Sequence, residues 1–180
     1  AVGIGAGQWS ETDIGLLLSH AAFGADSVFG FDTASGNVTL GTSLDSPLGL
    51  LKMGLNTLKL TGHNSYTGAT RVVRGVLQAD FGAGLPASTN VTLAGGTLST
   101  ESGAMTLALG AGAGQINIVS NKPAGFSADG GPRTVNLGGA VSAAGHAQVN
   151  VTAGPRFASG AGRFAKWRGN GKWAGRGPSG

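Results

Sequence analysis

Groups able to do chemistry are few and scattered along this chain. Three His (His20, His63 and His146) and eight Asp or Glu are present, and no Cys. None of the His falls in an H-x-x-x-H or H-E-x-x-H spacing, so two imidazoles do not share one helical face as zinc ligands would. Without Cys there is neither a disulfide framework nor a thiolate metal site. Gly41-Thr42-Ser43 sets a serine in a glycine-led turn, but no His or Asp motif accompanies it, and a nucleophilic triad needs all three in reach. Gly110-Ala111-Gly112-Ala113-Gly114 lacks the Lys-Ser/Thr of a phosphate loop and reads as a tight corner. Ala128-Asp129-Gly130-Gly131 is too sparse for a calcium-binding nonapeptide array. Asp32, Asp45, Asp80, Glu101 and Asp129 lie at intervals of 13, 35, 21 and 28. Only Asp80 and Glu101 could meet one coil apart, as the paired carboxylates of a polysaccharide-acting enzyme would. The residues predict no catalytic centre, no metal and no cofactor.

The elements that would position these groups follow from composition and pattern. The chain has 180 residues, 35 of them Gly, and only 11% are charged. Usual shares are about 7% Gly and about 25% charged residues. The net charge of +4 divides unevenly. Residues 1–130 carry five basic and eight acidic residues, whereas 131–180 carry seven basic and none acidic. Basicity therefore belongs to the end of the chain. No apolar run approaches the ~20 residues of a membrane-spanning helix. Ala1-Val2-Gly3-Ile4-Gly5 has neither the basic nor the long apolar region of a signal peptide.

Ser10–Phe23 reads as a short helix, capped by Ser10 or Thr12, with Asp13 at its positive end. Ile14, Leu17, Leu18, Ala21 and Ala22 share its apolar face; Gly15 weakens the helix, and a buried strand is the alternative. From Ser27 onward short pieces alternate apolar and polar residues between Gly, Asn and Ser turns, the pattern of half-buried strands. They include Asn37–Leu40, Thr57–Leu60, Gly75–Gln78, Asn90–Leu93, Gly96–Leu98, Gln115–Ile118 and Thr134–Leu137. Their last aliphatics, Leu40, Leu60, Leu77, Leu98, Ile118 and Leu137, recur at intervals of 20, 17, 21, 20 and 19. A near-constant step of this size is the mark of stacked units. It predicts an all-β right-handed parallel β-helix (a β-solenoid) over residues 27–140. A β-sandwich is the competing architecture, since it too uses short, regularly spaced strands. Residues 1–26 form a flank with the helix, and 141–180 a Gly-, Arg- and Trp-rich basic tail expected to be disordered.

Gly54–Gln78, GLNTLKLTGHNSYTGATRVVRGVLQ, resembles the autotransporter-associated β-strand repeat of type V secreted bacterial passengers. That family's pattern runs roughly G-x-x-T-L-x-L-T-G-x-N-x-Y-T-G-x-T-x-V-x-x-G-x-L-Q. The positions that meet it are Gly54, Thr57, Leu58, Leu60, Thr61, Gly62, Asn64, Tyr66, Thr67, Gly68, Thr70, Val72, Gly75 and Leu77. Weaker likenesses flank it, such as Phe29–Thr33 before and Leu85–Ser88, Ala94–Leu98, Gly125–Ala128 and Val135–Gly139 after. The resemblance implies an exported stalk at the bacterial surface or outer membrane, with adhesion or display as its purpose and an unspecified surface ligand. Leu58, Leu60, Val72 and Leu77 would fill the coil, and Gly62, Gly68 and Gly75 would turn corners. Thr57, Thr61 and Thr70 would touch water. Asn64 would bond backbone at a corner, and Tyr66 would cover the core with its hydroxyl in water. The translocator barrel of such proteins has no counterpart in this chain, and bare solenoid ends predict end-to-end self-association.

The basic tail carries the competing reading. Arg156, Arg163, Lys166, Arg168, Lys172 and Arg176 alternate with Phe157, Phe164, Trp167 and Trp173, so phosphates and bases could both be held. A solvated linker, or codons read in a shifted GC-rich frame, gives the same composition. Nucleic-acid binding is therefore the alternative function and the stalk the principal one.

Overall fold

The computed structural model describes residues 1–102, 105–128, 133–137, 147–151, 165–168 and 172–173. It is a parallel β-solenoid of about four turns, as the twenty-residue step predicts. A two-residue strand, β1 (Val2–Gly3), and one helix, α1 (Glu11–His20), precede the coils. Each coil then gives one strand to each of two sheets. The pairs are β2 (Ser27–Asp32) with β3 (Val38–Leu40), β4 (Leu48–Met53) with β5 (Thr57–Leu60), and β6 (Thr70–Val72) with β7 (Val76–Gln78). Next come β8 (Val91–Leu93) with β9 (Thr97–Thr100), then β10 (Met105–Leu109), then β11 (Gln115–Ile118) with β12 (Gly125–Ala128), then β13 (Arg133–Leu137). The first sheet runs β1-β2-β4-β6-β8-β11-β10-β13, and the second β12-β9-β7-β5-β3, with every one of these neighbours parallel. Sandwiches are built from antiparallel sheets, so the competing architecture is set aside.

Register places like on like. Leu50, Thr70, Val91 and Ile116 form one inward column of the first sheet, and Lys52, Val72, Leu93 and Ile118 a second. In the other sheet Val38, Leu58, Leu77, Leu98 and Phe126 stack. Leu58, Leu77 and Leu98 are completely buried. A single coil cannot hide these side chains; the neighbouring coil removes them from water, at about 25 cal/mol for each Å² of apolar surface.

The series of aliphatics read from the sequence needs correcting in detail. Leu40 does pair with Leu60, and Leu77 with Leu98. Leu77, however, stands opposite Leu58. Ile118 pairs with Leu93 and Leu137 with Leu107, both in the first sheet. Each coil has several inward aliphatics two positions apart, so a list of final residues slips between columns while the period survives. β4 and β6 also escape the sequence pattern, because Lys52 and Thr70 occupy inward positions where an aliphatic is expected.

The flank before Ser27 closes the first coil. β1 extends the first sheet through Val2↔Phe31 and Gly3↔Asp32. Ser10 caps α1: its hydroxyl accepts from Asp13 N at 3.2 Å, and Asp13 Oδ2 accepts from Ser10 N at 2.8 Å. This reciprocal capping box fixes the helix start at Ser10 rather than Thr12. The helix is shorter than Ser10–Phe23, because Ala21 is extended and caps it. Ile14 is fully buried and Leu17 and Leu18 half-buried, whereas Ala22 is exposed. Phe23 meets Phe29 edge-on with centroids 6.2 Å apart, and Phe29 meets Phe31 likewise at 4.8 Å.

Beyond residue 140, where the tail is expected to be disordered, three short segments among the described residues are strands. β14 (Ala147–Val151) runs antiparallel to β13. β15 (Ala165–Arg168) runs antiparallel to β12, and β16 (Lys172–Trp173) to β15. Ala-Gln-Val-Asn-Val alternates apolar and polar residues with β-branched Val, which suits a strand on an open sheet edge. The rest of the disorder expectation lies outside the described residues.

Candidate functional site

The chemistry of this chain is concentrated where the coils turn, and there it is hydrogen bonding. After β4, Gly54 has φ +75° and after β6, Gly75 has φ +64°, a region that favours glycine. A Cβ on Gly75 would lie 2.5 Å from the carbonyl oxygens of both Gly54 and Asn56. The corner is fastened across coils. Thr33 Oγ1 donates to Asn56 O at 2.9 Å, while Asn56 Nδ2 donates to Thr33 O at 2.7 Å. Asn37 Oδ1 accepts from Thr57 N at 2.8 Å.

Lys52 is the unforeseen member. Its side chain is fully buried, and Nζ donates to the carbonyls of Met53 at 2.6 Å, Gly54 at 3.0 Å and Arg74 at 3.1 Å. Burial pulls its pKa down to about 8, a fall that the charge of Asp32 partly offsets. A signal was present in the sequence: Lys52 shares parity with Leu48 and Leu50, so it points where they point.

The opposite corner, between β5 and β6, carries the densest part of the repeat. Asn64 bridges both neighbouring coils: Oδ1 accepts from Leu44 N at 2.8 Å and Nδ2 donates to Gly84 O at 2.7 Å. Ser65 Oγ donates to Asp45 Oδ1 at 2.8 Å. Gly62 and Gly68 are required by proximity, since a Cβ would come within 2.5 Å of Gly41 O and 2.6 Å of Gly49 N. They let the backbones of successive coils touch.

Two expectations are overturned at this corner. Tyr66 is buried, with 1% of its surface exposed, and its hydroxyl meets Thr70 Oγ1 at 2.5 Å instead of water. Thr70 is also buried and continues the chain to Thr89 Oγ1 at 3.1 Å, which donates to Gly68 O at 3.0 Å. The reason is register: Thr70 stands in the inward column with Leu50 and Val91, so its hydroxyl needs an internal partner. Burial pushes the Tyr66 pKa up to about 12, against the opposing effect of the Thr70 and Thr89 hydroxyls. Thr57 is half-buried, and Thr61 and Thr67 are exposed. Leu58, Leu60, Val72 and Leu77 are buried, as expected.

The other candidates are dispersed. Gly41 N and Thr42 Oγ1 both donate to Glu11 Oε1, at 2.7 and 3.0 Å, so that turn is a docking point for α1. Asp80 Oδ1 accepts from Glu101 N at 2.9 Å, and Glu101 Oε1 receives Lys59 Nζ at 2.5 Å and Gln78 Nε2 at 2.7 Å. The structure thus brings Asp80 and Glu101 together, but as ties between coils. His20 and His63 are exposed and apart; His146 lies outside the described residues. Among the described residues no three His, Asp or Glu gather as a metal site. Of the tail cations, Lys166, Arg168 and Lys172 fall on β15 and β16, while Arg156, Arg163 and Arg176 lie outside the described residues.

The comparisons agree with this picture of a repeat. No curated protein and no solved structure matches the chain. Residues 50–79, from the middle of β4 to just past β7, match the family model of the passenger-associated-transport-repeat, so this stretch carries a repeat of autotransporter passengers, which are secreted or surface-exposed proteins.

Proposed function

We propose that this chain is part of the stalk of an exported bacterial surface protein, with a display or adhesive role and no enzymatic one. In this reading residues 1–26 close the solenoid, 27–140 form the shaft, and 141–180 are a basic appendage. Residues 50–79 carry the argument: a passenger repeat whose polar residues are used in fastening one coil to the next. Such a chain gains its buried surface coil by coil, because each unit contacts only its neighbours. Stacking outside an outer-membrane pore would then oppose backward sliding and assist export. The engagement of Asp80 and Glu101 with inter-coil partners supports the non-enzymatic role.

The test places the chain ahead of an outer-membrane barrel and measures its accessibility to protease on intact cells. Leu58→Asp with Leu77→Asp, which blocks stacking, should lower the surface-exposed fraction severalfold. Equal exposure of the unstacked variant would remove the export role.

A further inference from the structure

The polar groups of the corners are spent on the fold, whereas some polar atoms of the N-terminal flank keep spare hydrogen-bonding capacity. Beside α1 lies an open groove of about 670 Å³ lined by Gly7, Gln8, Trp9, Asp13, Leu16, Leu17 and His20. Trp9 is 40% exposed and Leu16 56% exposed, unlike the buried Ile14 on the inner face. The groove lining is therefore partly apolar and includes an exposed indole.

Polar atoms with spare capacity belong to the residues of that lining. Ser10 engages Oδ2 of Asp13, leaving Oδ1 as an acceptor. Ser35 Oγ donates to Gln8 Oε1 at 3.0 Å, leaving the Gln8 amide nitrogen as a donor. Nδ1 of His20 lies 2.8 Å from the Leu16 carbonyl. Nδ1 also lies 2.9 Å from Ser19 Oγ, which itself donates to Leu16 O, so Nδ1 is engaged within the helix and Nε2 is left to face a ligand. Among the described residues no Lys or Arg lines the groove.

We infer that this groove binds neutral pyranose sugars, with a sugar ring lying on Trp9 and its hydroxyls bonded by Asp13, Gln8 and His20. A pyranose presents a face of C–H groups that packs on an aromatic ring and an edge of hydroxyls that both donate and accept. It thus matches a shallow site with one aromatic platform and mixed polar groups. The Asp13 carboxylate, with no Lys or Arg beside it among the described lining residues, disfavours uronic acids, sulfated sugars and phosphate backbones. This site goes beyond the stalk reading and stands on the flank alone, so its failure leaves that reading intact.

The experiment is an NMR titration of the whole chain, following the Trp9 indole N–H, with the neutral probes cellotetraose, maltotetraose and chitotetraose and the acidic probe tetragalacturonate. A saturable shift with at least one neutral probe is expected, with an affinity at least about tenfold weaker for tetragalacturonate. Leu16→Arg, at an exposed position, should fill the groove and abolish the shift without altering the urea midpoint, while Trp9→Phe should retain part of the affinity. Should Leu16→Arg disturb folding, Gln8→Ala must weaken binding in its place. No shift with any neutral probe, a shift that survives these substitutions, or equal response to tetragalacturonate would overturn the site. So would a Trp9 signal that moves with protein concentration alone, because the occupant would then be a second copy of the chain.

Discussion

Single side chains at the corners set the stability of the stack. Asn64 satisfies a backbone N–H on one coil and a carbonyl on the next. Asn64→Ala leaves both buried and unpaired, and should cost about 3 kcal/mol in a urea titration, since each orphaned buried group costs roughly 1–3 kcal/mol. Lys52 and Tyr66 make opposite contributions to the pH dependence. Lys52 releases its proton near pH 8 when folded and near 10.5 when unfolded. Between those values the unfolded chain holds more protons, so stability rises with pH. Tyr66 keeps its proton to about 12 when folded but loses it near 10.0 when unfolded. In that window the folded chain holds more protons, so stability falls as pH rises. The urea midpoint should therefore climb from pH 8 to about 10 and decline above about 10.5, where only Tyr66 still differs between the two states. Lys52→Met should remove the climb relative to the parent, and Tyr66→Phe the decline. The same slopes in all three proteins would refute both assignments.

At the scale of elements, the corners matter because strands of three or four residues cannot hold register unaided. Gly68 lets β4 and β6 approach, and a Cβ there would sit 2.6 Å from Gly49 N. Backbone cannot yield as a side-chain tip does, so Gly68→Ala should lower stability by more than about 2 kcal/mol, in the range of overpacked cores. Gly7, unlike Gly68, has a positive φ (+72°), and it has open space where its Cβ would go. Gly7→Ala should therefore cost only backbone strain, on the order of 1 kcal/mol. Comparing the two midpoints separates crowding from conformation. α1 is a second case. Glu11 ties it to the first coil through Gly41 and Thr42. Glu11→Ala should loosen this contact and raise amide exchange at Gly41 while leaving that of β8 and β9 unchanged.

For the molecule as a whole, the two ends of the shaft are treated differently. At its start β1 and α1 cover the first coil, and β3, at the edge of its sheet, is only three residues long. Short edges and covering elements are the usual protections against edge-to-edge pairing. Removing residues 1–23 bares β2 and the Phe29 and Phe31 rings that the flank protects. Sedimentation should then show stronger concentration-dependent association than the whole chain gives at the same concentrations. A truncated chain that stays monomeric would mean that the flank does not guard the edge.

What the sequence determined by itself was the period. Inward aliphatics recurring about every twenty residues are buried when units of that length stack, and Gly, Asn and Ser between them suit tight corners. A helix beginning at Ser10 or Thr12 was legible from residues close in the chain, and the inward side of Leu58, Leu60, Val72 and Leu77 from their alternation and the repeat pattern. Tertiary structure decided which residue faces which. Thr70 and Tyr66 read as wet because polar side chains usually are, yet register carries them into the core, where they satisfy each other and Thr89. Lys52 lies inside because three carbonyls from two coils converge on its nitrogen. The groove beside Trp9 forms where α1 meets the residues just before it. Contacts about twenty residues apart depend on how far one coil is offset from the next, and only the closed stack fixes that offset.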